Sequence, residues 1–201
     1  MQPFFIRADI IPHMLHTVLA SIGHIDLWAF YTLYAMRTYS VTVFAIGISQ
    51  LASPVTILGL LGICFVILVH QRRLPDALGI LISVVGAYGT VAILKILIER
   101  PRPPLDMQAI IETGYSFPSG HSVAAMSMYG FLAYLLYRDT TSRTVRWLTV
   151  SVASALILLM GWSRLYLGVH YLSDVLAGFL VGAAFLYLAI TVTRHFSQIK
   201  H

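Results

Sequence analysis

His170 and Asp174 are four residues apart in the stretch "SRLYLGVHYLSD". On a helix that spacing places both on one face. The carboxylate can then accept from one imidazole nitrogen, fix the tautomer and stabilise the cation formed when the other nitrogen attacks. Arg164 stands six residues upstream of His170. A second cluster, "KILIERPRP", sets Lys95 and Arg102 seven residues apart across the end of an apolar run. An ammonium and a guanidinium together suit a multiply charged anion, because Arg bonds oxygens in a fork and Lys acts as a point charge. Pro101, Pro103 and Pro104 cannot continue a regular helix, so they should hold the arginines extended at the surface. A third cluster, Pro118-Ser119-Gly120-His121, reads as a helix start with an apolar body from Val123 onward. The first N–H groups of a helix lack internal partners and attract phosphate. Gly120 lets a ligand approach the backbone, Ser119 can add a hydroxyl, and His121 would stand beside the bound anion. Each cluster has a plainer reading: interfacial basic residues, a capped helix start, or a buried His–Asp pair that only packs.

The elements that must position these groups are membrane helices. The chain has 201 residues, of which 58% are hydrophobic and 10% charged. Soluble domains carry about 25% charged residues, so this chain cannot cover a soluble surface. The opening residues do not read as a cleaved signal peptide, since charges and histidines interrupt the apolar core expected there. The net charge of +5 fits basic residues flanking spans better than nucleic-acid binding, because no basic face interleaved with aromatics is present. The lone Cys64 excludes an intrachain disulfide.

A spanning helix needs about 20 mainly apolar residues. Leu51–Val69, Asp76–Ile98, His121–Tyr137, Trp147–Tyr166 and Tyr171–Thr193 qualify, and apolar character extends from the first of these back toward Val41. His13–Tyr34 reads either as a sixth span, interrupted by His16, His24 and Asp26, or as one or two interfacial helices. The expected fold class is therefore all-α, a polytopic bundle of six spans and one domain over residues 1–201, with its core in 51–193. Arg72 and Arg73, then Arg138, Arg143 and Arg146, then Arg194 and Lys200 fall on one side of such a bundle, the cytoplasmic one. Lys95, Arg100, Arg102, His121, Arg164 and His170 then share the outer side, with Asp174 just below.

Lys-x6-Arg-Pro, Pro-Ser-Gly-His and Ser-Arg-x5-His-x3-Asp, in this order, resemble the signatures of the type 2 phosphatidic acid phosphatase superfamily. The resemblance is strongest from Lys95 to Gly178, and residues 1–45 match it poorly. It implies a helical membrane enzyme that removes phosphate from lipid phosphates or diphosphates without a metal or other cofactor. Carried over, His170 is the nucleophile, Asp174 orients it, and His121 is the general acid. Lys95, Arg102, Ser119, Gly120 and Arg164 hold the phosphoryl oxygens. Arg100 matches no motif position and reads as an interfacial or headgroup contact. The "PPLDMQAIIETGYSF" loop should set headgroup choice, with Tyr115 and Phe117 either walling the pocket or anchoring the interface. The expected partners are the bilayer and a lipid phosphate: undecaprenyl diphosphate, phosphatidylglycerol phosphate or phosphatidic acid. The expected location is the inner membrane, with the site facing outward. The oligomeric state is not readable. A phosphotransferase would use the same site with a different acceptor. A transporter and an inactive lipid-phosphate binder are the remaining alternatives. The family fold also resembles that of vanadate-dependent haloperoxidases, so vanadate should inhibit.

Overall fold

The computed structural model describes residues 10–198 and is helical almost throughout. The helices are α1 (Ile10–Ala35), α2 (Tyr39–Gln50), α3 (Pro54–His70), α4 (Leu74–Ile98), α5 (residues 120–139), α6 (Arg143–Tyr166) and α7 (Leu172–Gln198). Among the described residues, the stretches Tyr39–His70, Leu74–Ile98, Arg143–Tyr166 and Leu172–Ser197 are long and apolar enough to cross a membrane. Helix α5 holds the segment His121–Tyr137 expected to span. Residues 13–34 form part of one continuous helix, α1, which packs along α6 and α7.

Helix starts follow from local chemistry. Thr38, Ser53, Ser119 and Ser142 each accept an N–H of the helix that follows, capping α2, α3, α5 and α6. Ser53 with Pro54 at the first helical position also starts α3, so the apolar stretch Tyr39–His70 is built of two helices that meet at residues 51–53, with α2 packed on α6. Helix α4 ends where Glu99 turns left-handed, with φ 48°, ahead of Pro101.

The core lies among α3, α4, α5, α6 and α7, with Ile57, Ile80, Met128, Phe131, Met160 and Ala189 all buried. Large apolar residues such as Val55, Leu97, Leu180 and Tyr187 face outward, as a bilayer requires. Helices α4 and α5 each contain one π-helical turn, Ile82–Gly86 and Ala125–Tyr129. The Ser83 hydroxyl donates to the Ser127 carbonyl at 2.9 Å, joining the two turns. Such wide turns re-aim the rest of a helix, and here those helices carry Lys95 and His121.

The two ends of the bundle differ. At one end Asp76 accepts from Arg73 at 2.7 Å and from Arg138 at 2.6 and 2.8 Å, while Arg73 also pairs with Asp139 at 2.7 Å. The basic turns read as cytoplasmic thus meet at one end. The other end is formed by the 99–119 loop, the 167–171 connection and the α1–α2 turn. There Arg37 donates to the Tyr166 carbonyl at 2.7 Å and to that of Met107. Gly168, at φ +71°, makes the turn after α6, and a Cβ there would meet the Arg37 guanidinium at 2.1 Å.

Helix α7 approaches the start of α5 closely at Gly178. A Cβ at 178 would stand 2.7 Å from the Ser119 carbonyl oxygen and 2.8 Å from the Ser122 Cβ. Gly178→Ala is therefore expected to destabilise the protein by about 1–3 kcal/mol, read as a lowered thermal midpoint in detergent. Gly89→Ala, whose Cβ would meet nothing within 4 Å, should not lower it.

Candidate functional site

The end opposite the Arg73–Asp76–Arg138 cluster encloses a cavity of about 310 Å³. Its polar wall is Lys95, Arg102, Glu112, Gly120, His121 and His170, and its apolar wall is Pro54, Tyr88, Val91 and Ala92. Two larger hollows beside α5 and α6, of about 420 and 370 Å³, carry no charged residue. They offer nothing for chemistry. Among the described residues, no group of three or more His, Cys, Asp or Glu is gathered that could hold a metal ion.

His170 lies in the connection between α6 and α7 and is 2% exposed. Its Nε2 is 3.1 Å from Arg102 Nη1, and its Nδ1 is 3.4 Å from Asp174 Oδ2. Arginine can only donate, so Nε2 must offer its lone pair there. The ring proton then sits on Nδ1, toward the carboxylate. The second distance is longer than an ordinary hydrogen bond, so Asp174 acts on the ring chiefly as a nearby charge. Burial pushes the His170 pKa down, Asp174 opposes that, and Arg102 and Arg164 push it further, to about 4. His170 is therefore neutral near pH 7, with its lone pair on the nitrogen toward Arg102.

Asp174 is itself fully held. Its Oδ1 accepts from Arg100 at 2.6 Å and its Oδ2 from the Tyr171 N–H at 2.9 Å. The Ser119 N–H donates to the Asp174 carbonyl at 3.0 Å, locking the start of α5 to the start of α7. Ser119 is buried, and its Oγ accepts the Ser122 N–H at 3.4 Å. Gly120 lines the cavity, and a Cβ there would meet nothing within 4 Å, so the backbone is open to a ligand.

The cations converge around Glu112. Arg102 Nη2 is 3.2 Å from Glu112 Oε2, and Arg164 Nη2 donates to Glu112 Oε1. Arg102 is fixed further by the carbonyls of Val169, Thr113 and Gly114, and Arg164 by Ser49 Oγ at 2.5 Å. The Arg164 Nε, although buried, has no partner. Lys95 donates to the Tyr115 carbonyl. Burial would raise the Glu112 pKa, but Arg164, Arg102 and His121 outweigh it and hold the group below the usual carboxylate range.

Of the eight residues singled out from sequence, Lys95, Arg102, Gly120, His121 and His170 line the cavity. Asp174, Arg164 and Ser119 stand directly behind it. The arginines of "ERPRP" do not lie extended at the surface; both turn inward. Arg100 is not a headgroup contact. Its guanidinium bonds Asp174 Oδ1 and Ser173 Oγ at 2.6 Å and Asp26 Oδ2 at 2.7 Å. The signal was present in the sequence: in a proline-stiffened extended segment, side chains two apart share a face, so Arg100 accompanies Arg102. Glu112 was passed over, although it is an acidic residue nine before His121 in a cation-rich region. Tyr115 and Phe117 do not line the cavity, and the Tyr115 hydroxyl instead donates to Glu99 at 2.9 Å.

A family model for the PAP2 superfamily matches residues 76–197. The chain is 34% identical over 148 residues to a phosphatidylglycerophosphatase B of Bacillus subtilis, covering 71% of this chain and 70% of that one. It is 28% identical over 131 residues to an undecaprenyl-diphosphatase of Sulfolobus acidocaldarius, covering 63% of this chain and 59% of the relative. The crystal structure of a transmembrane PAP2-type phosphatidylglycerolphosphate phosphatase from Bacillus subtilis matches with a TM-score of 0.78 at 28% identity, covering 89% of this chain and 87% of that one. The matched family segment contains every cavity residue except Pro54, and it excludes Asp26 and Ser49.

The depressed His170 pKa has a consequence for stability. Histidine titrates near 6.5 when unfolded and near 4 here. Between those values the unfolded chain binds the extra proton, so stability falls as pH falls through that window. The thermal midpoint in detergent should drop from about pH 6.5 to about pH 4, and His170→Gln should flatten that drop.

Proposed function

The chain belongs to the PAP2 superfamily and is a membrane lipid phosphatase, and from that premise we propose that it hydrolyses a lipid phosphate at the outer membrane face through a phosphohistidine on His170. Phosphatidylglycerol phosphate is the first substrate, with undecaprenyl diphosphate and phosphatidic acid next. This order follows the named activity of the relative at 34% identity and then that of the relative at 28%. The Arg73–Asp76–Arg138 end faces the cytoplasm under the rule that basic residues stay inside, which turns the cavity outward, to the periplasmic side of an inner membrane.

The observation that carries the reading is the environment of His170. Its Nε2 offers a lone pair at the cavity wall, and Asp174 stands behind its other nitrogen. In the proposed reaction Arg102 Nη1 turns from Nε2 to the phosphoryl oxygens, and Nε2 attacks phosphorus in line. The bond to the lipid oxygen breaks, and His121, protonated when the substrate is bound, gives that oxygen its proton. Water then attacks the phosphohistidine, His121 takes its proton, and the N–P bond breaks to release inorganic phosphate. Phosphoryl transfer is mainly positioning plus neutralisation of oxygen charge. Lys95, Arg102, Arg164 and the N–H groups at the start of α5 supply both. The Ser119 hydroxyl keeps its own hydrogen free to donate, since its oxygen serves as acceptor for the cap. The phosphate replaces the Glu112 carboxylate on Arg102 and Arg164. The apolar wall of Pro54, Tyr88, Val91 and Ala92 leaves the lipid tail in contact with hydrocarbon.

Wild type should release phosphate from these lipids in EDTA, and vanadate should inhibit as a mimic of the transferring group. His170→Ala, folded to the wild-type thermal midpoint at pH 8, should be slower by a factor on the order of a thousand or more. Phosphate release by His170→Ala within tenfold of wild type, or complete loss of wild-type activity in chelator, would refute the reading.

A further inference from the structure

One carboxylate of this end belongs to neither the family segment nor the cavity wall. Asp26, on α1, is 2% exposed. Its Oδ1 accepts the Ser173 N–H at 2.8 Å; its Oδ2 accepts the Ser173 hydroxyl at 2.6 Å and Arg100 Nη2 at 2.7 Å. Arg100 Nη1 bonds Asp174 Oδ1 at 2.6 Å, and the guanidinium lies over the Tyr171 ring at 4.4 Å. One guanidinium thus serves two buried carboxylates, and only the second of them faces His170.

That arrangement has an electrostatic meaning. Asp174 paired with Arg100 alone would be a neutral unit, of little help to an imidazole gaining positive charge. With Asp26 included, two carboxylates share one cation, and the unit keeps one net negative charge. Every other charge near His170 works against a cationic ring or is already spent: Lys95 from α4, Arg102 from the 99–119 loop and Arg164 from α6 are cations, and Glu112 is paired with the two arginines. His121 on α5 faces the same cavity and adds a further positive charge while it carries the proton it donates. Tyr31 and Tyr171 are the remaining titratable side chains beside the unit.

We propose that Asp26 is a positioning and charge-balancing residue for the reaction at His170: by taking up the second arm of Arg100, it leaves Asp174 with the negative charge that the ring needs as it becomes cationic. This rests on His170 as nucleophile, and it gives the first helix, outside the family-matched segment, a part in the chemistry. A merely structural clamp between α1 and α7 would require the same bonds but would not tune His170.

The test is full kinetics and the pH profile of purified wild type, D26N, D26E and the double variant D26N/R100Q, with H170A as control. For D26N, kcat is expected to fall about tenfold or more with KM within about twofold. Its acid limb of kcat/KM should move to lower pH by about half a unit, because a cationic His170 has lost its compensation. D26E should keep the wild-type limb, and the double variant, which removes one charge of each sign, should return it to wild type. An unmoved limb in D26N, or a D26E as impaired in kcat as D26N, overturns the proposal. If D26N does not accumulate, D26N/R100Q is compared with R100Q alone: an acid limb lower in the double variant supports charge balance, and coincident limbs refute it. Loss of His170-dependent release is a separate failure. If wild type and H170A release phosphate equally, the parent reading falls and this one with it.

Discussion

The contact between Arg102 and His170 Nε2 is the constraint on which the cavity end of this bundle depends. A guanidinium has no lone pair to offer, so it fixes which nitrogen of the ring keeps its lone pair and which carries the proton. Asp174 on the opposite side agrees with that choice, and burial keeps the ring neutral. The connection from α6 to α7, the capped start of α5 and the proline-stiffened exit from α4 each deliver one side of this arrangement. Gly178 lets two of them touch. Helical packing deeper in the bundle, with its joined π turns, sets the level at which Lys95 and His121 emerge.

Charge accounting explains why so polar a site is tolerated at the end of an apolar bundle. Unpaired ions out of water cost several kcal/mol each. Here Lys95, Arg100, Arg102 and Arg164 stand against Asp26, Glu112 and Asp174. Within this cluster four cations and three carboxylates leave one positive charge, so the surroundings of His170 are close to neutral yet still attract an anion. Glu112 keeps two of the arginines paired. In the proposed reaction a phosphate takes over those bonds with more charge and better geometry for a fork. The exchange gives selectivity, since a weak anion would not displace a carboxylate already bound twice.

Much of this was legible in the sequence, because the chemistry sits in short runs. Lys95 to Arg102, Ser119 to His121 and His170 to Asp174 each declare a local geometry, and the apolar stretches between them show that helices must gather them. The break at residues 51–53 was also readable, from Ser53 and Pro54. What could not be read were partners far apart along the chain. Asp26 looked like a flaw in a span because its cation lies 74 residues away. Ser49 is 115 residues from Arg164, and Glu112 is 52. No local pattern reports such pairs. Arg100 is the intermediate case: its direction followed from extended backbone, but the carboxylates waiting for it did not.

The central claim is that His170 becomes covalently phosphorylated. It is tested most directly by rapid quenching of the enzyme with lipid carrying a radiolabelled phosphate, followed by peptide mapping under alkaline conditions. The account predicts an acid-labile, alkali-stable label on the peptide containing His170, formed and lost within one turnover and prolonged in His121→Gln. Full turnover with no label on that peptide, or a label on another residue, would contradict it.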